Sequence, residues 1–405
     1  MSVTFRPITA EEVDAFGRSS VAGFGESPEW LQKGQAWHAA ELDRTVAGFD
    51  GDAIVTTARN YSLELTVPGG SILRAAGLSA VTVLPTHRRR GYLRQMISLM
   101  FDDAIAREEP VSMLTASEAS IYERFGYGIS TRVQHARLDK RDVSFVRPRP
   151  GGRFRLLDVD DARKVEPTLF DRVRRNAPGA ISRPDEWWSA EQYDPGELGN
   201  RFDVLYESEQ GTVEGYATYG IKDAWNAMGG AHTLHVRDFV AATPTASHAL
   251  QRYLCEVDLV ATIVFHNLPL DSPLPWLLES SRAVRAESHD YVWTRLLDVP
   301  AALGARTYAV PGTLVIAIHD ELRPGSAADG TFSIEADGST GSVTRSDRTP
   351  DLECGVAAAS AAWLGGVRWS ELASAGLVDE HTSGALVTAD TMFLSTPLPY
   401  PYTWF

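Results

Sequence analysis

The chain has 405 residues, 44% hydrophobic and 22% charged, with a formal net charge of −15. That length holds two or three domains of about 150 residues each; the acidic balance argues against general nucleic-acid binding, which needs cationic surface to displace counterions, and favours cationic partners such as amines. Cys255 and Cys354 are the only cysteines, too few for a disulfide framework or a thiolate metal cluster, and neither a signal-peptide core near Met1 nor a membrane-length apolar run occurs, so a cytoplasmic protein with no metal, membrane or nucleic-acid partner is expected.

In chain order, residues 3–8 read as a short strand. Thr9 and Glu12 have capping-box spacing, and Val13, Phe16, Val21 and Phe24 continue one apolar helical face. Residues 25–29 break that helix, and Trp30, Leu31 and Trp37 fall on a second. Strands follow over 44–50, 53–65 and 71–78, joined by Asp50-Gly51-Asp52 and Pro68-Gly69-Gly70.

Residues 79–97 carry the clearest chemistry. An apolar, β-branched strand over 80–84 stops at Pro85, which cannot donate to a ladder. Arg88, Arg89, Arg90 and Gly91 make a basic turn, and Leu93, Met96, Ile97 and Met100 then recur at helical spacing. A helix start carries unpaired N–H groups and a partial positive charge, and Gly91 lets the backbone come close to a bound group. The residues read as a pyrophosphate cradle without a Walker lysine, against the plainer reading of a solvated basic turn. Residues 110–115 form a buried strand, and 117–125 a short helix closed by Gly126. This order makes a right-handed βαβ unit, whose parallel strands can splay to admit an extended ligand.

Residues 147–152, rich in proline and glycine, mark the first domain boundary. The second block has a strand at 154–159, a helix at 161–175, strands at 202–206, 215–221 and 232–241, a helix at 247–259 and a strand at 261–265. It repeats the order of the first: Val83-Leu84-Pro85-Thr86 is matched by Ala242-Thr243-Pro244-Thr245, without the arginine–glycine turn. Residues 291–297 read as a strand between blocks. Beyond Pro300, short strands at 313–319, 330–335, 341–344 and 383–389 and helices at 356–364 and 369–375 form a small α+β block. The chain ends in Tyr402-Thr403-Trp404-Phe405, apolar where termini are usually polar and frayed, so the tail docks or meets another subunit.

Arg88-Arg89-Arg90-Gly91-Tyr92-Leu93 resembles the acyl-CoA signature of the GNAT N-acetyltransferases, Arg/Gln-x-x-Gly-x-Gly/Ala, with Leu93 departing from the final small residue. The longer string from Val81 to Gly91, the 117–128 segment and the terminal Trp404-Phe405 look like the Eis family of acetyltransferases. The resemblance covers the whole chain. It implies tandem GNAT domains, each a mixed central β-sheet with helices on both faces, over residues 1–148 and a degenerate copy over 149–292. A sterol-carrier-like α+β domain follows over 293–405, so the fold class is α/β and α+β. It further implies acetyl-CoA as donor co-substrate, a small-molecule amine or protein lysine as acceptor, and a homohexamer.

Residue by residue, the resemblance gives Val81, Thr82 and Val83 to the pantetheine arm. It gives Arg89, Arg90, Gly91, Tyr92, Leu93 and Arg94 to the pyrophosphate, and Ser117 and Glu118 to the far side of the CoA. Phe24, Glu26, Trp30 and Trp37 would line the acceptor pocket, or serve as core and surface residues. Tyr122 would be the acid toward the CoA thiolate and the Phe405 carboxylate the base. A free α-carboxyl is a weak base that burial strengthens. No Walker A loop, His-Glu-x-x-His or Gly-x-Ser-x-Gly motif competes, and neither cysteine lies near the turn. The alternatives are a non-catalytic CoA-binding or interaction protein on a GNAT scaffold, and a protein-lysine acetyltransferase.

Overall fold

The computed structural model describes residues 3–27, 41–188, 198–227 and 229–405. The capping box forms, with the Thr9 N–H donating to the Glu12 carboxylate at 2.9 Å, and leads into α1 (Val13–Phe24). Trp30 and Trp37 lie outside the described residues.

The first sheet has seven strands in the order β1 (Thr4–Pro7), β2 (Thr45–Asp50), β3 (Ala53–Thr66), β4 (Ile72–Val83), β5 (Val111–Thr115), β14 (Val292–Leu296) and β6 (Gly128–Ile129). The second also has seven, in the order β13 (Arg285–Asp290), β7 (Arg132–Asp139), β12 (Val260–Pro269), β11 (His232–Ala241), β10 (Val213–Lys222), β9 (Asn200–Glu207) and β8 (Arg153–Leu157). Each contains one parallel pair crossed by a helix. In the first, α2 (Tyr92–Ala106) joins β4 to β5; in the second, α5 (Pro244–Glu256) joins β11 to β12. These are the two crossovers the repeated order requires. The strand beside each parallel pair comes from outside that pair's block: β14 beside β5, and β7 beside β12. Sheet membership therefore crosses the divisions expected at residues 148 and 292.

Two local expectations change. Residues 71–78 and 80–84 form the single strand β4, interrupted by a left-handed Ala80 at φ 52° that shifts the register against β3. Residues 383–389 are not a strand; they enter the helix Ala385–Met392, which buries Ala385, Ala389 and Met392 at helical spacing. Strand β7 alternates buried Val133, Ala136 and Leu138 with exposed arginines, a pattern the charged residues mask in the sequence.

One face of the first sheet packs on α2 through Met96, Ile97, Met100 and Phe101. The other face joins the third block, where Leu63, Val111, Met113 and Leu296 meet Ile316, Phe332, Trp363 and Phe405. Arg295 of β14 locks this arrangement, donating to the Phe125 carbonyl at 3.0 Å and ion-pairing with buried Asp320. The third block is a five-stranded sheet. Among the described residues no helix is long and apolar enough to cross a membrane.

Candidate active site

Parallel pairing between β4 and β5 runs from Ala75–Val111 to Gly77–Met113 and stops. Beyond it β4 continues to Val83 and β5 to Thr115, so a cleft opens between them. On the α2 side of that cleft is a groove of about 570 Å³. Its walls are Val81, Thr82 and Val83 of β4, the turn residues Arg89 and Gly91, Tyr92, Leu93 and Arg94 of α2, and Ser117, Glu118 and Tyr122. Of the eleven residues expected to hold the donor, Arg90 is the one outside this lining; its guanidinium turns back to the Thr86 carbonyl at 3.1 Å.

The turn has the features of an anion site at a helix start. Arg89 (φ 63°) and Gly91 (φ 83°) are both left-handed and curl the backbone ahead of α2. The first intrahelical bond is Gln95 N–H to the Gly91 carbonyl at 3.2 Å, so the amides of Tyr92, Leu93 and Arg94 have no carbonyl within the helix. Arg88 is structural, donating to the Val83 and Gly23 carbonyls at 3.2 and 3.1 Å. The guanidinium groups of Arg89 and Arg94 make no hydrogen bond or ion pair among the described residues. Free amides, free guanidinium groups and a groove of about 570 Å³ could together hold a pyrophosphate-bearing acyl carrier. His87, also in the lining, is held by Thr86 at 2.8 Å.

Among the described residues of the second block, the corresponding helix start has no arginine–glycine turn. The Thr243 hydroxyl caps α5 by accepting from the Ala246 N–H at 3.1 Å, and it donates to the Glu214 carboxylate at 2.8 Å. The filled N-cap and the adjacent carboxylate disfavour an anion at this helix start.

Tyr122 is 6% exposed and lies edge-on to Tyr127, with ring centroids 5.9 Å apart. Burial first, then the Glu118 charge, pushes its phenol up to about 12, while a hydrogen bond with Ser117 opposes them. The tail docks as one of the two expected outcomes: the Ile181 and Tyr400 amides bond to Pro401 and Pro178 at 3.1 and 2.8 Å, and Arg183 donates to the Tyr402 carbonyl at 2.7 Å. This brings buried Phe405 to the end of the β4–β5 pair. Its terminal oxygen accepts from the Thr115 hydroxyl at 2.9 Å, and its ring lies over Gly77, where a Cβ would come within 3.2 Å of it. Phe24, 43% exposed, lines the groove, whereas Glu26 is exposed and outside it. Thr115, Gly77 and Arg183 were not legible as site residues; their only signal is proximity in the fold. Both cysteines are buried with thiols pushed up to about 12 by desolvation, unsuited to act as nucleophiles. Among the described residues no cluster could hold a metal ion.

Family models described as acetyltransferase (GNAT) domain match residues 4–130 and 179–296, and one described as sterol carrier protein domain matches 299–402. An uncharacterized N-acetyltransferase of Streptomyces griseus is 35% identical over 416 residues, covering 99% of each chain. N-acetyltransferase Eis of Mycobacterium tuberculosis is 33% identical over 358 residues, 85% of this chain and 84% of that protein. The crystal structure of Eis1 from Mycobacterium abscessus superposes with a TM-score of 0.88 at 34% identity over 100% of both chains. A GCN5-related N-acetyltransferase from Anabaena variabilis shares the fold over 100% of both chains, with a TM-score of 0.84 at 15% identity.

Proposed function

Because the chain belongs to the Eis-like family of GNAT N-acetyltransferases, we propose that this acetyltransferase moves the acetyl group of acetyl-CoA directly onto a primary amine. Acetyl-CoA supplies the activated acyl group and a thiolate leaving group. The amides at the start of α2, with Arg89 and Arg94, hold the pyrophosphate, and the free edge of β4 from Val81 to Val83 aligns the pantetheine arm. The Phe405 carboxylate takes the proton that the attacking amine must lose. Tyr122 keeps its phenolic proton at neutral pH and gives it to the departing sulfur. A C–N bond forms as the C–S bond breaks.

The observation that carries this reading is the docked Phe405 carboxylate, bonded to Thr115 where β4 and β5 separate. The test is thiol release from acetyl-CoA over aminoglycosides, polyamines, arylamines and lysine peptides. Tyr122→Phe is expected to lower kcat about 10²–10⁴-fold with acetyl-CoA affinity retained; parental turnover would remove the acid. One residue appended after Phe405 is expected to inactivate a folded enzyme, and full activity with that tail would remove the base. The same resemblance carries a cytoplasmic homohexamer, which sedimentation of the purified protein tests.

A further inference from the structure

A second cavity, of about 590 Å³, lies in the second block, where the β11–β12 pairing ends at Val236–Phe265. Arg237, Asp238, His266 and Asn267 stand at the mouth of that splay, helix α4 (Val159–Arg174) contributes Glu166, and the tail closes it with Tyr402, Thr403 and Trp404. Trp404 of this lining is the residue that precedes Phe405, the proposed base.

Most of its charge is already paired. Asp238 accepts from Arg183 at 2.6 and 3.1 Å and from the Tyr216 hydroxyl at 2.8 Å. Arg201 is held by Asp203 at 2.9 Å. Two groups remain. Arg237 is exposed and makes no hydrogen bond or ion pair among the described residues. Glu166 is 4% exposed, and its Oε1 has no hydrogen-bond partner among them. Burial first, then Asp203 and Asp238, pushes the Glu166 carboxyl up to about 8, so it is a neutral donor at pH 7. His266 is pulled down to about 4, chiefly by burial, and adds no charge. The unspent charge is therefore cationic, in a protein of net charge −15. Trp188, Tyr291 and Trp404 supply apolar wall.

We propose that this cavity seats the carboxylate of the acceptor, on Arg237 and Glu166, so that the preferred substrates are amines carrying a carboxylate at the far end of an apolar spacer. The substrate class rests on the transferase reading; the carboxylate site does not.

The test compares aminocaproate, aminocaproamide and hexamethylenediamine as acceptors, together with direct calorimetric binding of caproate. The parent enzyme is expected to show kcat/KM at least about tenfold higher for aminocaproate than for the diamine or amide, the scale of one charge-assisted hydrogen bond. Arg237→Gln should reduce that ratio about tenfold, and Arg237→Glu should invert it in favour of the diamine. A misfolded variant lowers both rates and cannot invert their ratio. A parent that prefers the diamine, or an Arg237→Glu variant that keeps the parental ratio, overturns the substrate class. If no amine is acetylated, the transferase reading fails, and caproate decides the cavity alone. Binding that weakens in Arg237→Gln supports the site; absence of binding to the parent protein overturns it.

Discussion

Gly77 has no side chain, and the ring of Phe405 takes the space. An added Cβ would stand 2.6 Å from Leu63 Cδ1 and 3.2 Å from that ring, so Gly77→Ala must move Leu63 and presses the terminal ring by tenths of an ångström. The expected result is kcat lowered by less than the roughly 10²-fold of a full ångström misplacement of a catalytic group, with acetyl-CoA KM unchanged; steady-state kinetics decide it. Tyr122 is legible as a tyrosine ahead of a Gly126-Tyr127 pair, but its altered acidity comes from the packing. With the phenol pushed up to about 12, the kcat profile should lack the alkaline limb that an ordinary tyrosine would show near pH 10. Glu166 gives a second pH signature. Its raised carboxyl contributes stability fully below the unfolded value, near 4.3, and that contribution is lost as pH rises through about 8. Glu166→Gln should therefore match the parent's melting temperature at acid pH and exceed it by about 2–4 °C at pH 8. An offset constant with pH would contradict the buried neutral acid.

At the scale of the element, the strand–turn–helix over β4 and α2 was readable because its signals are local. Pro85 stops the ladder, and Gly91 accepts a left-handed backbone at φ 83° with nothing within 4 Å of a would-be Cβ. The requirement there is conformational, and Gly91→Ala should cost about 1–2 kcal/mol in that backbone. The cost should appear as acetyl-CoA binding weakened about tenfold by calorimetry, with kcat at saturation nearly retained. Arg90 shows the limit of local reading. Three consecutive arginines look equivalent in the sequence, yet the curl of the turn sends Arg88 and Arg90 to backbone carbonyls and leaves Arg89 facing the groove. The helix over 385–392 was misread because alanine and threonine carry little periodic contrast, and its type follows from the face it buries.

For the whole molecule, the exchange of β7 and β14 ties the two GNAT-like blocks together. A fragment of residues 1–131 lacks β14, so β5 and β6 would lose the strand that lies between them and expose edges prone to aggregation. It is expected to be insoluble or without a cooperative unfolding transition, while the full chain folds. A soluble fragment with a sharp thermal transition would show that β14 is dispensable. Arg295, buried between β14 and Asp320, extends the dependence to the third block. Removing one partner of a buried ion pair strands the other, at a cost of about 3–5 kcal/mol, so Asp320→Ala should lower the melting temperature of the entire protein.

The sequence by itself determined the blocks in order, the strand–turn–helix with its basic glycine turn, and ten of the eleven donor-site residues that come together in the groove. Those features lie in two contiguous stretches, 81–94 and 117–122, that a single right-handed crossover brings together. Only the tertiary structure decided which strand stands beside each parallel pair, that the tail reaches the cleft, and that the degenerate block keeps a cavity with unspent positive charge. The Thr115–Phe405 bond joins residues 290 apart. Such contacts follow from burial and sheet pairing across the whole chain, and no local pattern of residues encodes them.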